Sequence, residues 1–136
     1  MKIYFAGSIS GGRQDVQVYQ QIISRLKIYG EVLTEFIGDG NLSDKGEDKL
    51  SDQLIHDRDI DWLLSSDVIV AEVTTPSLGV GYEIGRALEN NKKILCLFRA
   101  TEGKRLSAMI KGATRILVED YKSIEDVEQI LKNYFS

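Results

Sequence analysis

Residues 67–87 read DVIVAEVTTPSLGVGYEIGRA. A β-branched run halts at a proline and turns through two glycines into apolar positions spaced three and four apart, so a strand leads through a turn into a helix. Such units, repeated along a chain, build a parallel sheet with helices on its faces. Working outward, the same alternation recurs, with strands predicted at residues 2–9, 31–37, 67–73, 93–99 and 115–121.

The first intervening helix is predicted over residues 15–29, where Val16, Tyr19, Ile22, Ile23 and Leu26 fall on one face and Gly30 reads as a C-terminal stop. Residues 38–49 (GDGNLSDKGEDK) are polar and glycine-containing, and read as a surface loop or flap. The final SIEDVEQILKNYF is an amphipathic helix. The pattern predicts an α/β fold, a doubly wound Rossmann-like or flavodoxin-like three-layer sandwich with a five-stranded parallel sheet, in one domain over residues 1–136. Ligands of such sheets bind beyond the carboxyl ends of the strands where the chain order reverses, which directs attention to the loops after the first and third strands.

Composition narrows the chemistry. With 136 residues, 43% of them hydrophobic, the chain can build a core without disulfides or a structural metal. One cysteine, Cys96, and one histidine, His56, cannot make a disulfide framework or a zinc cluster, and a lone thiol fits a reducing cytosol. Seventeen Lys and Arg against 21 Asp and Glu give a net charge of −4, which offers no broad basic surface for polymeric nucleic acid. A small anion is still compatible, because backbone N–H groups at a helix N-terminus hold phosphate regardless of overall charge. The opening MKIYFAGSIS is too short in its apolar part for a signal peptide, and no run approaches the roughly 20 apolar residues of a membrane span. The expected location is cytoplasmic.

Several residues could carry chemistry. The loop GSISGGR, residues 7–13, combines three glycines with Ser8 and Ser10, so backbone and hydroxyl donors could meet a phosphate; from spacing alone it is equally a plain strand-to-helix turn. Tyr4 is either a buried strand aromatic or a hydroxyl at the sheet's edge that touches a reacting group. On the second helix Asp59 shares a face with Ile55, Trp62 and Leu63, where apolar neighbours would raise its pKa as a general acid requires, while Asp57 and Asp61 face water and Arg58 points elsewhere. His56 reads as a packing or hydrogen-bonding residue rather than a base.

In the opening stretch Pro76 ends the strand, Ser77 caps the coming helix, and Gly79 and Gly81 bare the backbone of its first turn. Glu83 aligns with Val80 and Ala87, an unusual place for a glutamate. It either complements the helix dipole or, kept ionised by that dipole and aimed at a cleft, serves as a nucleophile. In RLSAMI, residues 105–110, Ser107 reads as a capping hydroxyl and Met109 as a core residue, and Cys96 in ILCLF as a buried strand residue.

Taken together, YFAGSI with GGR, LIHDRDIDWLLSSDVIVAEVTTPSLGVGYEIGRA, ILCLFR and LSAMI resemble the 2'-deoxynucleoside 5'-monophosphate N-glycosidases, the deoxynucleotide N-hydrolases of the nucleoside 2-deoxyribosyltransferase superfamily. The resemblance runs from the first strand to the last helix. It implies that Glu83 attacks C1' of the deoxyribose, that Asp59 is the acid that helps the base depart, and that Tyr4 holds the nucleophile and crowds C2'. It further implies a 5'-phosphate site made by Ser77 with Gly79, by Gly7, Ser8 and Ile9, and by Ser107 from the other subunit of a homodimer, with Met109 lining the shared site. No metal or cofactor is implied. The members of this group often carry Arg directly after the GSI triplet, where this chain has Ser10, with Arg13 the nearest cation and an altered phosphate affinity as the consequence. Phe36, near the expected base pocket, is placed to stack on the base.

Three other readings stand beside this one. A nucleoside 2-deoxyribosyltransferase would pass the same sugar to a second base, but those enzymes typically hold a free 5'-hydroxyl with an acid where this chain has Ser77. A ribonucleotide N-glycosidase acting on a substrate such as CMP would have to tolerate a 2'-hydroxyl near Tyr4. A non-catalytic nucleotide-binding module would keep the glycine loops and have no use for Asp59 and Glu83.

Overall fold

The computed structural model describes residues 1–9, 12–34, 50–101 and 103–136, the first three residues of the first helix by backbone alone. Strands β1 (Lys2–Ala6), β3 (Val68–Glu72) and β4 (Lys93–Arg99) carry apolar side chains on both faces and are covered on both. With β2 (Glu31–Leu33) and β5 (Ile116–Tyr121) they form one parallel sheet in the order β2-β1-β3-β4-β5. The predicted doubly wound α/β architecture is therefore observed, in the flavodoxin-like order whose chain reversal lies between β1 and β3.

Alternation along each strand sorts the core into two halves. Ile3, Phe5, Val68, Val70, Leu95 and Leu97 meet Tyr19, Ile22 and Leu26 of helix α1 (Gly12–Leu26) and Val127 and Leu131 of helix α5 (Ile124–Tyr134). On the opposite face Tyr4, Ile69, Ala71, Ile94 and Cys96 meet Leu63 of helix α2 (Asp52–Ser65) and Val80, Ile84 and Ala87 of helix α3 (Leu78–Glu89). Helix α5 starts at a capping box in which Ser123 and Asp126 satisfy each other's backbone N–H groups. Among the described residues no helix is long and apolar enough to cross a membrane.

Several boundaries differ from the sequence reading: helix α1 begins at Gly12 rather than 15, and β2 ends at Leu33 rather than 37. Helix α1 ends at Leu26 rather than 29, because the next N–H groups tighten into a turn, Ile28 to the Arg25 carbonyl at 3.2 Å and Tyr29 to Leu26 at 2.9 Å. Gly30 is not the helix stop. A Cβ there would lie 2.5 Å from the Met1 carbonyl oxygen, so glycine is needed to let Glu31 N–H bond that same oxygen at 2.9 Å and start β2 beside β1. Strand β1 ends at Ala6 instead of continuing to residue 9. Phe36 and the polar segment 38–49 lie outside the described residues.

Candidate active site

The N-terminus of α3 is set by its own sequence: Ser77, in extended conformation, accepts the Val80 N–H on its hydroxyl at 3.2 Å and caps the helix as predicted. One turn on, the Val80–Glu83–Ala87 face turns toward the sheet, leaving Glu83 only 8% exposed. There the hydroxyl of Tyr4, itself fully buried on β1, donates to Glu83 Oε2. Tyr4 is a core aromatic, and its hydroxyl reaches a carboxylate. It does so from an inner strand of the sheet, not from an edge.

Burial pushes the Glu83 carboxyl up to about 7, an effect the Tyr4 hydroxyl opposes and the charge of Asp59 reinforces. This corrects the expectation that the helix dipole keeps Glu83 ionised. Glu83 is in the second turn, beyond the N–H groups that carry the dipole's positive end, and desolvation wins.

Asp59 occupies the apolar face of α2 as predicted and is 6% exposed, with Asp57 and Asp61 turned to solvent. Arg58 does not point elsewhere. Its guanidinium doubles back onto Asp59 Oδ1, with Nε at 3.1 Å and Nη2 at 3.0 Å, while stacking 4.6 Å above the Trp62 ring. The long side chain lets an adjacent residue reach where its Cβ direction does not lead.

Asp59 and Glu83 line one cleft of about 210 Å³ with Ile55, His56, Gly79 and Tyr82. His56 is the hydrogen-bonding residue expected: Nδ1 meets Asp57 Oδ1 at 2.9 Å and Nε2 meets the Tyr82 hydroxyl at 2.8 Å, at the cleft's rim. Tyr82 escaped the sequence reading, since an exposed helical tyrosine carries no distinguishing signal.

On the other side of α3, Ser77 shares a larger cavity of about 440 Å³ with Thr74, Thr75, Arg105, Ser107 and Met109. Ser107 is a cap as expected, accepting the Met109 N–H at 3.2 Å at the start of helix α4 (Ala108–Lys111). Met109 is no core residue: the one-turn helix has no buried residue and leaves this side chain 83% exposed. Cys96 is buried, and desolvation pushes its thiol up to about 12.

The loop after β1 is built around Tyr19. At Gly7 a Cβ would sit 2.9 Å from the Tyr19 ring, so only glycine admits the contact, and the Tyr19 hydroxyl then accepts the Ser8 N–H at 3.1 Å. That N–H is committed within the fold, and Ser8 is buried while Ile9 is half-buried. Ser10 and the side chain of Arg13 lie outside the described residues.

Sequence reasoning passed over a buried polar cluster under these loops. Glu72 Oε1 accepts the Thr74 N–H and Oε2 the Thr74 hydroxyl, each at 2.8 Å, and Oε2 also accepts the Tyr121 hydroxyl. Burial raises the Glu72 pKa. A glutamate ending the otherwise apolar strand VIVAE was the signal available.

The nucleoside 2-deoxyribosyltransferase profile matches residues 3–127. The chain belongs to the nucleoside 2-deoxyribosyltransferase family. Within it, the chain is 62% identical to the 5-hydroxymethyl-dUMP N-hydrolase of Danio rerio, over 99% of this chain and 96% of that one. To the human 5-hydroxymethyl-dUMP N-hydrolase it is 53% identical, over 98% and 78%. A CMP N-glycosidase of Clostridium botulinum shares the fold at a TM-score of 0.71 and 20% identity, covering 98% of this chain and 99% of the other.

Proposed function

We propose that this member of the nucleoside 2-deoxyribosyltransferase family hydrolyses the N-glycosidic bond of 2'-deoxynucleoside 5'-monophosphates, 5-hydroxymethyl-dUMP among them, to free base and 2-deoxyribose 5-phosphate. The observation that carries the mechanism is the hydrogen bond from Tyr4 to Glu83 in a cleft shared with Asp59. It pairs a desolvated carboxylate with a fixed donor and a second carboxyl group, the set a double-displacement glycosidase needs. The names of relatives at 53–62% identity supply the substrate class.

In the first step a Glu83 oxygen attacks C1', the bond from C1' to the base nitrogen breaks with its electron pair leaving on the base, and Asp59, which enters this step as the protonated carboxyl, gives that base its proton and is left as the carboxylate. In the second, Asp59 takes a proton from water, the water oxygen bonds C1', and the ester to Glu83 breaks. Ser77 speaks for hydrolysis of a phosphorylated substrate over base exchange on a nucleoside, because a hydroxyl can donate to a phosphate dianion that an acidic side chain would repel. The backbone of Gly79, exposed at the first turn of α3, and the loop of Gly7, Ser8 and Ile9 complete the phosphate end. With the Ser8 N–H held by Tyr19, the Ile9 side of that loop carries the contact.

The working unit in this reading is a cytoplasmic homodimer. Leu78, 97% exposed, and Met109 flank the larger cavity, and a second copy would cover them and bring Ser107 and Met109 to its neighbour's cleft. One experiment tests both parts. Glu83→Ala should release no base from 5-hydroxymethyl-dUMP, and Ser107→Ala should lose about tenfold in kcat/KM, the size of a hydrogen bond to a charged group. Co-refolding the two variants should restore about a quarter of wild-type turnover, since half the dimers are mixed and each mixed dimer has one intact site. No recovery would return Ser107 to its own chain's site, and an active Glu83→Ala enzyme would end the covalent mechanism.

A further inference from the structure

The mechanism above makes no use of Asp15 on helix α1. Asp15 and Tyr19 stand one helical turn apart, both buried, where the rest of the helix's inward face is apolar. Tyr19 takes the Ser8 N–H of the first loop. Asp15 reaches the third-strand loop: its Oδ2 accepts the Thr75 hydroxyl at 2.7 Å and its Oδ1 accepts Arg99 Nη2 at 2.9 Å. The Arg99 N–H in turn donates to the Thr74 hydroxyl at 2.8 Å. One helix face thus ties together two segments that are far apart in sequence and that both end at the same crevice.

We propose that Asp15 is a positioning residue which, through Thr75, sets the distance between the two loops that hold the substrate's 5'-phosphate. The proposal rests on the phosphate end described above. Thr75 precedes Pro76 and Ser77, and the fixed φ of proline passes the position of Thr75 to the Ser77 hydroxyl and the first turn of α3. Asp15 need not touch the nucleotide, and a loosened loop would cost binding of the phosphate while leaving the Tyr4 and Glu83 contact, on the other side of α3, in place.

A buried carboxylate with an arginine partner also stabilises the fold, so Asp15→Asn alone would not separate the two roles. Thr75→Val removes only the hydroxyl that Asp15 holds, and Thr75→Ser keeps it. Full-length wild type and the three variants are compared by calorimetric titration with 2-deoxyribose 5-phosphate, steady-state kinetics and pH–rate profile on 5-hydroxymethyl-dUMP, and melting temperature. Thr75→Val should weaken 2-deoxyribose 5-phosphate and raise KM, each by about tenfold, with kcat within about threefold and the acid limb unmoved, while Thr75→Ser matches wild type. Asp15→Asn should weaken the sugar phosphate at least as much. Unchanged affinity in Thr75→Val, an equal defect in Thr75→Ser, or a fall in kcat that tracks the melting temperature would overturn the proposal. So would wild-type protein that binds no 2-deoxyribose 5-phosphate; wild type that binds it yet cleaves no nucleotide would overturn the reaction and leave the positioning role tested.

Discussion

A carboxyl group whose pKa is about 7 is charged only half the time at neutral pH, and the Tyr4 hydroxyl is the contact that favours the charged form of Glu83. A nucleophile works deprotonated, so activity should rise with pH through about 7. Tyr4→Phe removes the opposing bond, which moves the pKa of Glu83 further up and the acid limb with it. At pH 7 kcat/KM should fall by about tenfold or more, with the gap narrowing above pH 8. Rate profiles of the two enzymes from pH 5 to 9 check this, and coincident midpoints would remove Tyr4 from the control of Glu83. That Glu83 and Asp59 belong on inward faces was readable from helical spacing. The pKa of Glu83 was not, because the groups that bury and contact it come from β1 and α2, 79 and 24 positions away along the chain.

Helix α3 and its cap supply Ser77, Gly79 and Glu83, and the helix's start is local chemistry: serine to cap, glycine to bare the backbone. Ser77→Ala should lower unfolding free energy by about 1 kcal/mol through loss of the cap, and should also raise KM for the nucleotide. Ser77→Thr keeps an accepting oxygen and should recover most of the stability, which urea unfolding of the three proteins would measure. A stable Ser77→Ala protein would mean that the cap is replaced by water. Elements with such punctuation, α3 and α5, were legible in advance, as was strand β4, whose bounds match the prediction. Elements ended by tertiary contact were not: α1 stops short because the chain must turn to lay β2 on the Met1 carbonyl, and α4 is one turn long with Met109 left outside.

At the scale of the whole molecule, two glutamates among the described residues, Glu72 and Glu83, are buried with folded-state pKa values above the ordinary value. A raised carboxyl pKa means that the folded form holds its proton longer than the unfolded form. The associated stability is fully present below about pH 4.5 and is lost as pH rises through about 7 for Glu83. Glu83→Gln keeps an acceptor for Tyr4 without the charge, and should stabilise the protein at pH 8 by on the order of 1–3 kcal/mol while changing little at pH 5. Urea midpoints at the two pH values would register the difference, and an equal shift at both would point to packing instead.

The sequence by itself determined the α/β class, the parallel sheet, the caps at Ser77 and Ser107, and that Asp59 and Glu83 turn inward, because periodicity and turn chemistry act within a few residues. Tertiary structure alone decided that Tyr4 meets Glu83 and that Asp15 binds Thr75 and Arg99, and the bend of Arg58 onto Asp59 was likewise not legible in helical spacing. For Tyr4 and Asp15 the reason is the parallel crossover: it brings together strand ends and helix faces that are far apart along the chain. For Arg58 it is a flexible side chain that folds over its own helix face.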